Sequence, residues 1–109
     1  LHNAAGDQGV SLQFNTRQLP YFALWKNPQA AADGHVTGLE PTMNFPNRRS
    51  FEKAHGRVAS LAPGESRTFE LTMEVHSSAE SVAAARQDIA RLQEGTTPTL
   101  LTQPDPQWS

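Results

Sequence analysis

Residues 67–76 of the sequence read RTFELTMEVH, and this stretch gives the clearest structural signal in the chain. Apolar and polar side chains alternate along it with a period of two, which is typical of a strand with one dry face and one wet face. The strand is predicted to bury the four apolar side chains Phe69, Leu71, Met73 and Val75.

Four shorter stretches on its N-terminal side also predict strands. Residues 10–15 alternate in polarity, residues 19–25 are apolar and aromatic, and residues 35–40 and 56–61 are short apolar runs. Pro63 and Gly64 predict a type II turn before the last strand. The sequence therefore predicts an all-β fold.

One helix is expected after the last strand. Ser77 and Glu80 have the spacing of a capping box, and Gly95 suits the position just beyond a helix C-terminus. Apolar residues recur between them at helical spacing, which predicts a helix over about residues 78–94. The prolines that follow predict an extended or disordered tail over residues 96–109.

The composition narrows the possible classes of function. The 109 residues suit about one domain, and 9 Lys and Arg against 11 Asp and Glu give a net charge of −2. This balance provides no basic face for nucleic acids or anionic membranes.

The absence of cysteine excludes disulfides, thiolate zinc sites and a cysteine nucleophile. No apolar run is long enough to span a bilayer, and we expect a cytoplasmic protein.

One segment has the residue types of a carbohydrate site. Glu40 ends a predicted strand, and a carboxylate at a strand end is held more rigidly than one in a loop. The loop that follows offers donors and acceptors for sugar hydroxyls, and Trp25 and Phe45 could form an apolar platform for a sugar ring. The candidate substrate-binding residues are Trp25, Asn44, Asn47, Arg48 and Arg49.

A purely structural role would also explain this segment. Glu40 could pair with Arg48 or Arg49 and simply pin the loop, and composition alone favours that interpretation. The four histidines have no metal-ligand spacing, so no metal site is expected.

Three separated segments carry a family resemblance. They read LPYFALWKN at residues 19–27, GLEPTMNFPNR at 38–48 and GRVASLAPGES at 56–66. Together they resemble the C-terminal part of the aldose 1-epimerase (galactose mutarotase-like) family, over about residues 10–92. The resemblance is closest to a bacterial branch of uncharacterised epimerase-like proteins.

The resemblance implies a large antiparallel β-sandwich that binds a hexose in a cleft, with residues 1–95 as its C-terminal portion. It implies that Glu40 is the catalytic base, which removes a proton from the C1 hydroxyl while an acid protonates the ring oxygen. No metal or organic cofactor is required. Pro46 lies one residue later than the corresponding proline of the family, so a different loop geometry around Glu40 is expected.

The resemblance also implies a second segment of polypeptide. The acid histidine of the family lies upstream of this region, and none of the four histidines here matches it. The chain also begins with Leu1 rather than Met. We therefore expect the N-terminal remainder of the same protein, as a separate chain or a missing segment, as a partner beside the sugar.

Three functions remain open from the sequence. The first is an enzyme that interconverts sugar anomers with Glu40 as the base. The second is a non-catalytic β-sandwich that binds a sugar or sugar phosphate, for which Arg48 and Arg49 would suit an anionic group because guanidinium binds phosphate bidentately. The third is a structural β domain.

Overall fold

The computed structural model describes residues 1–108, which contain four strands and two helices. The strands pair into two short antiparallel sheets, so the strand-based prediction is confirmed at this level. In chain order the elements are β1 (Gly9–Phe14), β2 (Tyr21–Lys26), β3 (Thr37–Thr42), α1 (Arg49–Ala54), β4 (Leu71–His76) and α2 (Ala79–Gln93), with a 3₁₀ turn at Ala31–Asp33.

The chain forms two compact units. The first contains Leu1–Gln13 and Leu71–Thr102, and the second contains Phe14–Glu70 and the residues from Gln103 onward. β1 pairs with β4, and β2 pairs with β3. The residues of the predicted sugar site therefore all belong to the second unit.

In the first unit, α2 begins one residue later than its predicted capping box. Ser78, not Ser77, is the N-cap residue. Its hydroxyl accepts a hydrogen bond from Ser81 N at 3.2 Å, and Ser81 Oγ accepts one from Ser78 N at 3.3 Å. Ser81 thus fills the role predicted for Glu80, because its hydroxyl also reaches back to the cap. Gly95 follows the helix with a φ of 75° and confirms the predicted end.

The predicted apolar stripe of α2 is buried only at its beginning. Val82 is 4 % exposed, whereas Ile89 and Leu92 are exposed, Leu92 at 84 %. The helix therefore docks through its first turns and leaves its second half without apolar cover. Within residues 1–108, neither helix is both long and apolar enough to cross a membrane.

β4 is shorter than predicted, and its apolar side chains are exposed within residues 1–108. The strand spans Leu71–His76 rather than residues 67–76. The side chains expected on a dry face are exposed, and Val75 reaches 79 %. The alternation gave the strand correctly, but residues 1–108 do not supply the cover that its apolar face would need.

In the second unit, β2 and β3 form an antiparallel pair whose register defines the candidate site. Both strands begin two residues later than predicted. Because successive strand residues point to opposite faces, three pairs share one face, which we call the Trp25–Glu40 face: Tyr21 with Thr42, Ala23 with Glu40, and Trp25 with Gly38.

The region between β3 and β4 differs most from its prediction. Residues 56–61 form no strand, and α1 forms partly in what was predicted as an irregular loop. A helix of six residues makes fewer than two turns, so its sequence is too short to show a helical periodicity. The Pro-Gly turn is confirmed, since Gly64 has a φ of 80° and Glu65 N donates to Ala62 O at 2.9 Å.

Candidate functional site

The Trp25–Glu40 face brings together two of the predicted site residues. Trp25 lies opposite Gly38 in the register, and Glu40 lies two residues along β3 on the same face. Trp25 is 52 % exposed and the Glu40 side chain is also exposed. A carboxylate and an indole ring are therefore both accessible on one short stretch of sheet.

Gly38 makes room for the Glu40 carboxylate. A Cβ atom added to Gly38 would lie 2.5 Å from Glu40 Oε1 and 3.3 Å from the Cβ of Trp25. The first distance is too short for two non-bonded heavy atoms, so any side chain at this position would displace the carboxylate. The glycine thus lets Glu40 fold back toward Trp25, which accords with a close approach at a strand glycine.

A second cluster, which the sequence patterns did not predict, centres on Glu52 in α1. The Glu52 side chain is fully buried. Its Oε2 accepts hydrogen bonds from Arg57 Nε at 2.6 Å and Phe45 N at 3.2 Å. Its Oε1 accepts from Asn47 Nδ2 at 2.8 Å and Arg57 Nη2 at 2.9 Å. We call this set of four residues the Glu52 clasp; it ties the loop after β3 to the chain after α1.

The clasp perturbs the protonation of both charged partners. The hydrogen bonds from Arg57, followed by those from Asn47 and Phe45, outweigh burial and lower the pKa of Glu52 from 4.5 to about 2. The hydrogen bond to Glu52 likewise raises the pKa of Arg57 above its usual value. A carboxylate that receives several donors prefers its charged form, so the clasp contains a permanent ion pair at neutral pH.

The Glu52 clasp takes the place of the ion pair that was expected between Glu40 and Arg48 or Arg49 if the segment had a purely structural role. Within residues 1–108, Glu40 takes part in no ion pair, and neither Arg48 nor Arg49 does. The loop is pinned, as that alternative expected, but by Glu52 and Arg57. The feature of the sequence that could have revealed this ion pair is a glutamate and an arginine five residues apart on either side of Gly56. The φ of 70° at Gly56 turns the chain back between them.

The structure separates the remaining predicted site residues. Asn47 donates both of its amide hydrogens, to Glu52 Oε1 and to the Trp108 carbonyl oxygen at 2.9 Å, so a sugar could meet it only through Oδ1. Asn44 lies in a tight turn in which Thr42 Oγ1 donates to its carbonyl oxygen at 2.8 Å. Arg48 and Arg49 are exposed where α1 begins.

Phe45 does not join Trp25 in the predicted apolar platform. Its ring centroid lies 4.5 Å from that of Tyr21 and 6.0 Å from that of Trp108. The guanidinium of Arg57 lies 5.3 Å from the same ring, within cation–π range. Phe45 therefore supports the Glu52 clasp, and of these two aromatic residues only Trp25 is exposed. No group of three His, Asp or Glu side chains in residues 1–108 is placed to hold a metal ion.

Comparison with known proteins supports the aldose 1-epimerase resemblance. The chain is similar to the crystal structure of a candidate aldose 1-epimerase from Klebsiella pneumoniae subsp. pneumoniae MGH 78578, with 42 % identity, a TM-score of 0.81 and 87 % of this chain covered. The match covers 25 % of that protein, so the chain spans about a quarter of its length. None of the curated proteins matches the sequence. A family model described as Domain of unknown function (DUF4432) matches residues 1–75, and the chain therefore belongs to the DUF4432 family.

Proposed function

We propose that this chain is part of an aldose 1-epimerase-like protein in which Glu40 is the catalytic base. The placement of the Glu40 carboxylate over Gly38 and beside the exposed Trp25 carries the proposal. An aromatic face suits the apolar side of a sugar ring, and a neighbouring carboxylate suits its hydroxyls. The 42 % identity to a candidate aldose 1-epimerase gives independent support.

In the proposed reaction, Glu40 accepts the proton of the C1 hydroxyl. The electron pair of that O–H bond forms the C1=O1 double bond, the C1–O5 bond breaks, and O5 takes a proton from an acid. Rotation about the C1–C2 bond then presents the other face of the aldehyde to O5. The reverse proton transfers close the ring as the other anomer, so the step needs no metal and no organic cofactor.

The acid and much of the cleft would come from a longer polypeptide. The apolar side chains of β4 and the end of α2 are exposed, including Met73 at 64 % and Val75 at 79 %. A sheet normally buries one face against another layer, and these side chains would do so in an antiparallel β-sandwich. Residues 1–95 would then form its C-terminal portion and residues 96–109 an extended or disordered tail, of which residue 109 lies outside the residues that the structure describes. A cytoplasmic location belongs to the same proposal.

The test is an anomer-exchange assay by NMR on the full-length protein with common aldoses. Glu40→Gln keeps the shape of the side chain but removes its basic oxygen, and should slow exchange by about 10²- to 10⁴-fold. Glu74→Gln changes an equally exposed strand carboxylate in β4 and should have no effect. Equal rates for Glu40→Gln and the unmodified protein would refute the role of Glu40.

The alternative is a protein that binds a sugar or sugar phosphate without turnover. The observation that favours it is that Arg48 and Arg49 are exposed and take part in no ion pair within residues 1–108. It predicts saturable shifts of the Trp25 indole signal with glucose 6-phosphate, weakened by Arg48→Gln with Arg49→Gln, in a protein that does not speed anomer exchange. An absence of any saturable shift would favour a purely structural domain.

A further inference from the structure

The second unit contains a cavity that the proposed function does not use. It has a volume of about 240 Å³ and lies where the loop before β2 meets the chain after α1. Tyr21, Met43 and Val58 contribute to its wall, and so do three arginines: Arg17, Arg57 and Arg67. Three arginines in the lining of one small cavity concentrate positive charge there, and Arg17 and Arg67 are accessible to solvent.

The charges of the cavity wall do not cancel. The Arg57 charge is compensated by Glu52, which lies 2.6 Å away in the clasp. Within residues 1–108, Arg17 and Arg67 take part in no ion pair, and no carboxylate lines the cavity. The wall therefore carries two uncompensated positive charges in a chain whose net charge is −2.

Two contacts restrain the segments that carry the exposed Arg17 and Arg67. Arg67 lies over the ring of Phe69, with its guanidinium carbon 5.4 Å from the ring centroid. Gln18, next to Arg17 in the chain, accepts a hydrogen bond from Glu70 N at 3.0 Å and so ties the two segments that carry the arginines. The segments are thus fixed to each other across the cavity.

We propose that this cavity binds an oxyanion, namely a phosphate, sulfate or carboxylate group, through Arg17 and Arg67. Guanidinium groups bind such oxygens in pairs with short charge-assisted hydrogen bonds. Tyr21 adds a phenolic hydroxyl, which can donate to the same anion. Arg57 is a positioning residue, because its Nε and Nη2 are already bonded to Glu52.

The position of the cavity suggests what carries the anion. Tyr21 belongs to the Trp25–Glu40 face and lies two residues along β2 from Ala23, the partner of Glu40. Two strand residues span about 7 Å, which is close to the length of a sugar ring. If Glu40 acts on C1 as proposed above, the anion would be a substituent on the far side of an acidic sugar, and this part of the inference rests on the proposed function.

Inorganic phosphate tests the cavity independently of any sugar. Calorimetric titration of the full-length protein should show saturable binding that weakens with added sodium chloride. Arg17→Gln with Arg67→Gln should weaken binding at least tenfold. The matched control Arg86→Gln, an exposed arginine in α2, should leave it unchanged. Arg17→Lys with Arg67→Lys keeps both charges but loses the paired geometry, and should bind with intermediate affinity.

The remaining outcomes separate this inference from the proposed function. Absence of phosphate binding to the unmodified protein, or equal affinity in the double glutamine variant, would overturn the cavity site. Glu40→Gln should bind phosphate normally, so anomer exchange and anion binding can fail separately. Glucose 6-phosphate should bind more tightly than glucose or phosphate alone. If its affinity equals that of phosphate, the protein recognises the anion but not the sugar ring.

Discussion

The most informative single residue is Gly38, because its missing side chain positions a candidate catalytic group. The sequence motifs predicted Trp25 and Glu40 in one site but could not show that the carboxylate folds back over the glycine. The side-chain conformation of Glu40 is not contained in residue spacing, and the position of Trp25 opposite Gly38 depends on the register between β2 and β3. The functional consequence follows from a single distance, 2.5 Å between Glu40 Oε1 and the position that a Cβ atom on Gly38 would occupy.

Gly38→Ala should reduce anomer exchange without unfolding the protein. The added methyl group would push the Glu40 carboxylate out of its position, and a shift of about 1 Å in a catalytic group can cost about 10²-fold in rate. Alanine is no worse than glycine in a strand, so the urea denaturation midpoint of the full-length protein should not fall. Unchanged exchange kinetics in a folded Gly38→Ala protein would contradict the proposed position of the base.

Glu52 gives a prediction of pH dependence at the same scale. Its pKa is lowered to about 2 in the folded chain, against 4.5 normally. The folded state therefore gains stability from the ionised carboxylate above pH 4.5, and this gain is lost as the pH falls toward 2. Glu52→Gln should lower stability at pH 7 and flatten this acid dependence.

Urea denaturation at a series of pH values, followed by circular dichroism, checks this prediction. Glu70→Gln is a matched comparison, since the Glu70 side chain is exposed and takes part in no hydrogen bond or ion pair within residues 1–108. Equal acid dependence in Glu52→Gln and the unmodified protein would show that the clasp does not control stability in this range.

At the scale of elements, prediction worked where the local pattern was strong and failed where distant contacts decide the structure. β1, β2, β3 and β4 were found within a few residues because alternation and aromatic content favour strands. α1 was missed because the Glu52–Arg57 ion pair stabilises it. The two residues lie five positions apart across a turn, so their contact does not appear as a periodic pattern in the sequence. Nothing in residues 1–108 covers the apolar side of β4. Alternation did not predict this, because it shows which side chains share a face, not what covers them.

The N-cap of α2 can be tested with two neighbouring serines. Ser78→Ala removes the hydroxyl that accepts from Ser81 N, and should cost about 0.5–2 kcal/mol in the free energy of unfolding. Ser77→Ala changes the residue that the sequence pattern favoured and should cost much less. Urea denaturation of both variants measures the difference, and a larger loss for Ser77→Ala would place the cap where the sequence pattern predicted it.

At the scale of the whole molecule, little of the chain is buried against itself. Val82 is the one large apolar side chain in residues 1–108 that is buried, whereas Leu71, Met73 and Val75 are exposed. A monomer with so much apolar surface is prone to associate. The site residues could be predicted from motifs, but the shape of a cleft could not, because much of its wall would lie outside these residues.

The 109-residue chain alone should therefore self-associate. Sedimentation velocity should show oligomers whose population grows with protein concentration. Met73→Lys with Val75→Lys, on the apolar side of β4, should reduce association, whereas Thr72→Lys on the opposite side should not. A monodisperse monomer that melts cooperatively would show that the exposed side chains need no cover.

The Glu52 clasp has a consequence for which substitutions the loop can tolerate. By joining Phe45 and Asn47 to Arg57 through Glu52, it closes the intervening chain into a loop and lowers the conformational entropy of that loop. Arg48 and Arg49 lie inside the closed loop but point outward and carry none of its bonds. Substitutions at these two positions should therefore leave the loop in place, which separates the stability of the loop from the chemistry that it presents to solvent.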